Sequence, residues 1–248
     1  MKFFPYICLG DPNLAFTKQL VKKLEPYADA FEFGIPFSDP IADGPVIQDA
    51  SERALNAGMN IDKAFEFIAE LHREGFAKPI YLMTYYNVIF AYGLEKFTQK
   101  CNGIVVGCII PDLPLEEQGE LQKICNELAI VQFISPTTKE NRIKEITTDA
   151  KGFVYVVSVA GTTGARREIP DLRKIVGTVK KYTKIPVLLG FGISKREHVE
   201  AAQGQGFDGF IVGSRIVEIY RNGSLDEVSK FAQEISGGEV NETNIYKR

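Results

Sequence analysis

Two carboxylates, Glu32 and Asp43, carry the most informative chemistry in the sequence. Glu32 sits in Asp29-Ala-Phe-Glu-Phe-Gly34, between two phenylalanines of a short apolar run. Successive side chains on a strand alternate faces, so Glu32 points away from Phe31 and Phe33. If the phenylalanines meet covering helices, the carboxyl faces the interior of the sheet. Loss of water there raises its pKa into the range useful for proton transfer near neutral pH. The plainer alternative is a structural Glu paired with a Lys or Arg. Asp43 follows eleven residues later, in the loop Gly34-Ile-Pro-Phe-Ser-Asp-Pro-Ile-Ala-Asp-Gly-Pro45. Prolines stiffen this loop, and long loops in small domains often carry function. Asp39, ahead of Pro40, reads as a turn-former. Asp43 precedes an apparent helix start near Pro45, so a helix cap and a ligand role are both open for it.

Three glycine-rich turns add a second chemistry: Gly161-Thr-Thr-Gly164, Gly190-Phe-Gly192-Ile-Ser194 and Gly213-Ser214-Arg215. Glycine lets backbone N–H groups approach an anion, and a helix N-terminus adds partial positive charge. Each turn alone is explained by tight chain reversal. Three on consecutive apolar runs point to a phosphate.

The elements that must position these groups recur along the chain. Short apolar runs, mostly β-branched or aromatic, fall at Phe3–Leu9, Ala30–Phe33, Ile80–Thr84, Ile104–Ile110, Ile130–Ile134, Phe153–Val159, Ile185–Gly190 and Gly209–Val212. Continuous rather than alternating hydrophobicity suits parallel strands buried on both faces. Helical spacing appears at Asn13–Leu24, Ile61–Glu74, Leu115–Leu128, Leu172–Tyr182, Lys195–Gly206 and Leu225–Ile235, with Asn13 and Ser194 as candidate caps. Strand–helix alternation over 248 residues predicts a (β/α)8 TIM barrel, with an open doubly wound sheet as the rival. In the barrel, the catalytic end is the C-terminal end of the strands, and phosphate commonly sits after the last two. No linker is visible, so residues 1–248 read as a single domain, with a polar tail from about residue 237.

Composition narrows the function classes. A net charge of −3 with interspersed signs excludes a nucleic-acid footprint or a basic membrane face. Cys8, Cys101, Cys108 and Cys125 form no C-x-x-C pair and read as core residues. His72 and His198 lack metal-ligand spacing, so no metal is expected. No membrane-length apolar stretch and no signal peptide are apparent, which predicts a cytoplasmic protein.

The run Glu32-Phe-Gly-Ile-Pro-Phe-Ser-Asp-Pro-Ile-Ala-Asp-Gly-Pro-Val-Ile-Gln48 resembles the signature of the tryptophan synthase α subunit family. Leu82-Met-Thr-Tyr-Tyr-Asn87, Pro111-Asp-Leu-Pro114, Tyr155-Val-Val-Ser158, Gly161-Thr-Thr-Gly-Ala165, Gly190-Phe-Gly-Ile-Ser194 and Gly213-Ser214 extend the resemblance over the chain. It implies a barrel that cleaves indole-3-glycerol phosphate to indole and glyceraldehyde 3-phosphate. It also implies an α2β2 assembly in which indole passes to a β subunit, the only place where pyridoxal phosphate is expected. This chain would itself need no cofactor. By the same resemblance Glu32 and Asp43 are catalytic and Tyr155 orients the substrate or the glutamate. Gly164, Gly192, Gly213 and Ser214 hold the phosphate. Tyr6, Met83, Ile134, Phe191 and Ile211 line the indole pocket, and Thr163 meets the aspartate on loop closure. The partner face would involve Pro36–Asp43 and Pro111–Pro114. Cys8, Val106 and Val159 depart from the common family pattern.

Overall fold

The computed structural model describes residues 1–125, 127–158, 168–190 and 192–238. Among them the apolar runs form parallel strands β1 (Lys2–Cys8), β2 (Phe31–Gly34), β3 (Ile80–Met83), β4 (Gly107–Ile109), β5 (Ala129–Ile130), β6 (Gln132–Ile134), β7 (Val154–Val157), β8 (Val187–Gly190) and β9 (Gly209–Val212). Their order in the sheet is β5-β4-β3-β2-β1-β9-β8-β7-β6. The two ends of that order, β5 and β6, are consecutive in the chain and separated only by Val131. The sheet therefore curls round on itself. It is the expected (β/α)8 barrel, its fifth strand split at Val131 so that one half pairs with β4 and the other with β7.

Helices cover the outside: α1 (Leu14–Leu24), α2 (Pro45–Asn56), α3 (Ile61–Arg73), α4 (Tyr86–Tyr92), α5 (Leu94–Cys101), α6 (Gly119–Ile124), α7 (Glu140–Thr147), α8 (Arg173–Tyr182), α9 (Arg196–Gly204), α10 (Ser214–Asn222) and α11 (Leu225–Ser236). Asn13 caps α1, its side chain accepting from the N–H of Phe16 at 2.9 Å. Ser194 does not cap α9. The cap position is Lys195, and Ser194 instead donates its backbone N–H to Nδ1 of His198 at 3.2 Å. The helix expected over Leu115–Leu128 is a 3-10 turn followed by the short α6. The reason lies in two buried amides. Gln132 donates to Gln118 at 2.9 Å, and Gln118 donates to the carbonyl of Leu113 at 3.1 Å, which fixes a turn where a helix would otherwise run through. The strand expected from Ile104 begins only at Gly107, because Gly103 turns the chain at φ 76° and leaves Val106 exposed.

Two aromatic layers fix the orientation of β2. Outside the barrel, Phe31 and Phe33 pack on Phe76 and, from α3, Phe67, with ring centroids 5.3–6.5 Å apart. Inside, Phe4, Tyr81 and Phe153 converge from non-adjacent strand positions at 4.9–5.8 Å, which only a barrel interior allows. Room for these rings comes from missing side chains. A Cβ on Gly107 would lie 2.9 Å from the Tyr81 ring, and one on Gly190 would overlap the Tyr155 ring. Glu32 is thereby turned inward, above the aromatic plug.

One ionic cluster ties the loop after β1 to two helices that flank the barrel mouth. The Asp11 carboxylate is fully buried. It accepts from Arg53 Nε and Nη2 on α2, both at 2.8 Å, and from the hydroxyl of Tyr220 on α10. Removing one partner of a buried pair strands the other charge. Arg53→Leu is therefore expected to cost about 3 kcal/mol in urea unfolding. A loss under about 1 kcal/mol would show that the pair does not hold the loop.

Candidate active site

The residues at the C-terminal ends of the strands enclose a pocket of about 650 Å³, its open mouth included. Glu32 enters from β2 and Asp43 from the loop that follows it; they are 4% and 5% exposed. Tyr6 from β1, Met83 from β3, Ile109 from β4, Phe133 from β6, Tyr155 from β7 and Ile211 from β9 form the walls. Apolar and aromatic walls with a few convergent polar groups suit a flat, largely apolar ligand. Tyr155 stacks on Phe133 at 4.9 Å, which sets the tilt of its ring. Tyr6 fits because a Cβ on Gly34 would overlap its hydroxyl.

The two carboxyls differ in their surroundings. Oε2 of Glu32 is buried without a hydrogen-bond partner among the described residues. Burial, with a smaller contribution from the Asp43 charge, pushes the Glu32 carboxyl up to about 8. Burial also raises Asp43, but Tyr85 donates its hydroxyl to Oδ2 at 2.7 Å and holds it to about 6. Asp43 ionises first and then opposes ionisation of Glu32. Near neutral pH the pocket therefore pairs a carboxylic acid with a carboxylate, the division that acid–base catalysis requires. Burial, followed by the charges of Glu32 and Asp43, keeps the Tyr155 phenol well above its ordinary range, so it stays neutral.

The structure of α2 removes the helix-cap reading of Asp43. Its cap is Gly44, which makes no side-chain capping bond, and Pro45 occupies the first turn. The Asp43 side chain is thus free of the helix and committed to Tyr85. Its backbone is set by its own N–H donating to the carbonyl of Pro40 at 3.0 Å, and by Gln48 Nε2 donating to its carbonyl at 2.8 Å. Tyr85 is in turn held by the Ala42 N–H, which donates to its hydroxyl at 3.1 Å.

Gly192, Gly213 and Ser214 gather at one side of the pocket. Gly192 adopts φ 92°, a left-handed conformation suited to glycine. Gly213 caps α10 without a side-chain bond, so the N–H groups of the first turn are left unclaimed by a capping side chain. That is the geometry of an anion site at a helix start.

Of the residues expected in the site, Glu32, Asp43, Tyr155, Tyr6, Met83, Ile211, Gly192, Gly213 and Ser214 all line this pocket. Ile134 does not. It shares a face with Gln132, whose amide bonds outside the barrel to Gln118, and the inward residue of β6 is Phe133. Ile134 is expected in the pocket from the family resemblance alone, and the continuous apolar run offers no inward–outward alternation that would test it. Thr163, Gly164 and Phe191, with Val159, lie outside the described residues. Sequence reasoning passed over Tyr85 and Arg215. Tyr85 was detectable: it lies two residues beyond Met83 and continues the inward parity of Tyr81 and Met83.

The family model described as tryptophan synthase alpha chain matches residues 1–243. The chain belongs to the tryptophan synthase alpha chain family. It is 44% identical over 238 residues to the tryptophan synthase alpha chain of Methanocaldococcus jannaschii, covering 92% of this chain and 84% of that one. The alpha chain of Alkaliphilus metalliredigens is likewise 44% identical over 240 residues, covering 93% and 89%. A structure of the tryptophan synthase a2b2 complex from Pyrococcus furiosus superposes with a TM-score of 0.88 at 38% identity, covering 95% of this chain and 98% of that one. The chain is accordingly a lyase of tryptophan biosynthesis, and the alpha reaction is the cleavage of indole-3-glycerol phosphate. Among the described residues, no helix is long and apolar enough to cross a membrane.

The isolated burial of Glu32 has a consequence for stability. Its carboxyl titrates near 8 when folded and from 4.5 in its ordinary state, so between those values the folded chain keeps a proton that the unfolded chain has lost. This contribution is present below pH 4.5 and is lost as pH rises through 8. Glu32→Gln abolishes that dependence. The variant's melting temperature should match or exceed wild type at pH 9 and gain less, or nothing, at pH 5. Identical differences at both pH values would show that Glu32 is not held protonated.

Proposed function

We propose that Glu32 and Asp43 carry the cleavage, with Tyr155 orienting the substrate and the turns at Gly192 and Gly213-Ser214 holding its phosphate. The observation that carries this reading is the shared pocket in which one carboxyl is kept protonated and the other ionised. The carbon–carbon bond breaks only after the indole ring is made an electron sink. Glu32, as the acid, delivers its proton to C3 of the indole. Asp43, as the carboxylate, accepts the N1 proton, giving the indolenine. Glu32, now a carboxylate, takes the proton of the glycerol hydroxyl. The bond to C3 then breaks, its electrons form the C2–C3 double bond, and N1 recovers its proton from Asp43. Indole and glyceraldehyde 3-phosphate result, and both carboxyls return to their starting states. The mainly apolar pocket strengthens each of these charge interactions.

The proton transfers need no cofactor in this chain. The tryptophan-forming step belongs to a β subunit carrying pyridoxal phosphate. Two exposed apolar residues suit its docking at the barrel mouth: Ile41, 74% exposed on the loop beside Asp43, and Phe90, 63% exposed on α4. The start of α4 is tied to the turn at Pro111–Pro114, because the Tyr86 N–H donates to Asp112 Oδ1 at 2.9 Å. Tyr85, which precedes α4, accepts from the Ala42 N–H and donates to the Asp43 carboxyl, so both segments of the expected partner face are tied to the start of α4. An α2β2 stoichiometry belongs to the same proposal, as does a cytoplasmic setting.

Indole release from indole-3-glycerol phosphate tests the assignment. Glu32→Gln should lower kcat by about 10²–10⁴-fold or more while substrate binding persists, and Asp43→Asn should slow it severely. A nearly active Glu32→Gln enzyme would rule out this mechanism. The kcat/KM profile, which reports the free enzyme, should be bell-shaped, rising as Asp43 ionises near 6 and falling as Glu32 ionises near 8. Tyr85→Phe removes the bond that stabilises the Asp43 carboxylate, so the acidic limb should move to higher pH and the window narrow. An unmoved limb would mean that Asp43 does not set it.

A further inference from the structure

The electrostatics of the pocket leave one requirement unmet by the groups assigned so far. A phosphate monoester brings close to two negative charges at neutral pH. The pocket it enters already contains the Asp43 carboxylate and the Glu32 carboxyl. The groups assigned to the phosphate, Gly192, Gly213 and Ser214, offer N–H and O–H dipoles but no full charge. Among the described residues that line the pocket, the single cationic side chain is Arg215. It follows Ser214 directly and stands on the first turn of α10, where the helix start already favours an anion. Its present partner is Glu218, one turn further along the same helix, at 3.3 Å from Nη1. That pair is 42% and 31% exposed, the kind of partly solvated i,i+3 contact that holds a side chain weakly.

We infer that Arg215 is a phosphate-specificity residue: its guanidinium leaves Glu218 and pairs with the substrate phosphate held at the start of α10. The inference rests on the phosphate position proposed above and names the charge that position requires. A guanidinium presents a planar fork of donors that matches two phosphate oxygens. The reach is short, since the phosphate lies against the N–H groups of the same helical turn. Arg215 takes no part in proton transfer. It acts on binding, and through binding on the choice between phosphorylated and unphosphorylated indole glycerols.

The test uses the full chain and three readouts: kcat and KM for indole-3-glycerol phosphate, competitive inhibition by inorganic phosphate, and turnover of unphosphorylated indole-3-glycerol. For Arg215→Ala, KM and the phosphate Ki should rise together by about tenfold to a hundredfold, with kcat falling less than about threefold. Turnover of indole-3-glycerol should stay close to wild type. Arg215→Lys should recover part of the loss, because the charge is kept and the fork is not. Raising ionic strength should weaken phosphate binding more in wild type than in Arg215→Ala. Unchanged KM and Ki in Arg215→Ala would overturn the inference, leaving backbone donors to hold the phosphate alone. Equal losses on phosphorylated and unphosphorylated substrates would overturn it as well, by showing a general defect of the site. Failure of phosphate to compete in wild type would remove the phosphate position itself, and Arg215 with it.

Discussion

Two buried carboxyl groups share the mouth of an aromatic-filled barrel, and a hydroxyl that reaches only one of them helps to separate their behaviour. Tyr85 donates to Asp43 at 2.7 Å, while Oε2 of Glu32 receives no such bond among the described residues. Burial raises both groups; the Asp43 charge pushes Glu32 further, to about 8, while the Tyr85 bond opposes burial at Asp43 and holds it to about 6. Without that asymmetry the pocket would contain two similar acids competing for one charge state. With it, the pocket holds one carboxylic acid and one carboxylate near neutral pH.

The rest of the fold serves that arrangement. The outward phenylalanines Phe31 and Phe33 anchor β2 to the helical layer and so turn Glu32 inward. The loop to Asp43 is held from both ends: by Tyr85 at the end of β3, and by α2, which the Asp11–Arg53 pair fixes to the loop after β1. Glycines at Gly34 and Gly190 give the space into which Tyr6 and Tyr155 fit. The site thus depends on small residues as much as on functional ones. A buried carboxyl with one oxygen unpartnered among the described residues is also a standing destabilisation, tolerated where function needs it.

Legibility in the sequence followed the strength of each local signal. Apolar runs located every barrel strand, because parallel strands buried on both faces cannot be polar. The glycine turns and the proline-rich loop marked the catalytic end. Short amphipathic helices were missed where their apolar content was thin, as in α7, which buries only Ile143, Ile146 and Thr147. Choices of face were the weakest readings. In β2 a charged residue between two phenylalanines gives the parity away. In β6 there is no such marker, so the resemblance's placement of Ile134 had no local pattern to correct it, and the pocket is lined by Phe133 instead.

The sequence by itself determined the strand–helix alternation, the glycine- and proline-rich turns at one end of it, and that Glu32 faces opposite to Phe31 and Phe33, since these follow from hydrophobic pattern and strand alternation within a few residues. Closure of the barrel and the packing of the phenylalanines on the helices then made that face the inner one. Local pattern left Asp43 open between a helix cap and a ligand role; the family resemblance pointed to the ligand role, and the tertiary structure shows what places it in the pocket. Asp43 became a site carboxylate because Gly44 caps α2 and because Tyr85, forty-two residues away, reaches its oxygen. The pair's division into acid and base likewise comes from burial and from a contact between separate strand ends. Protonation depends on what surrounds a group in space, and no local pattern encodes that.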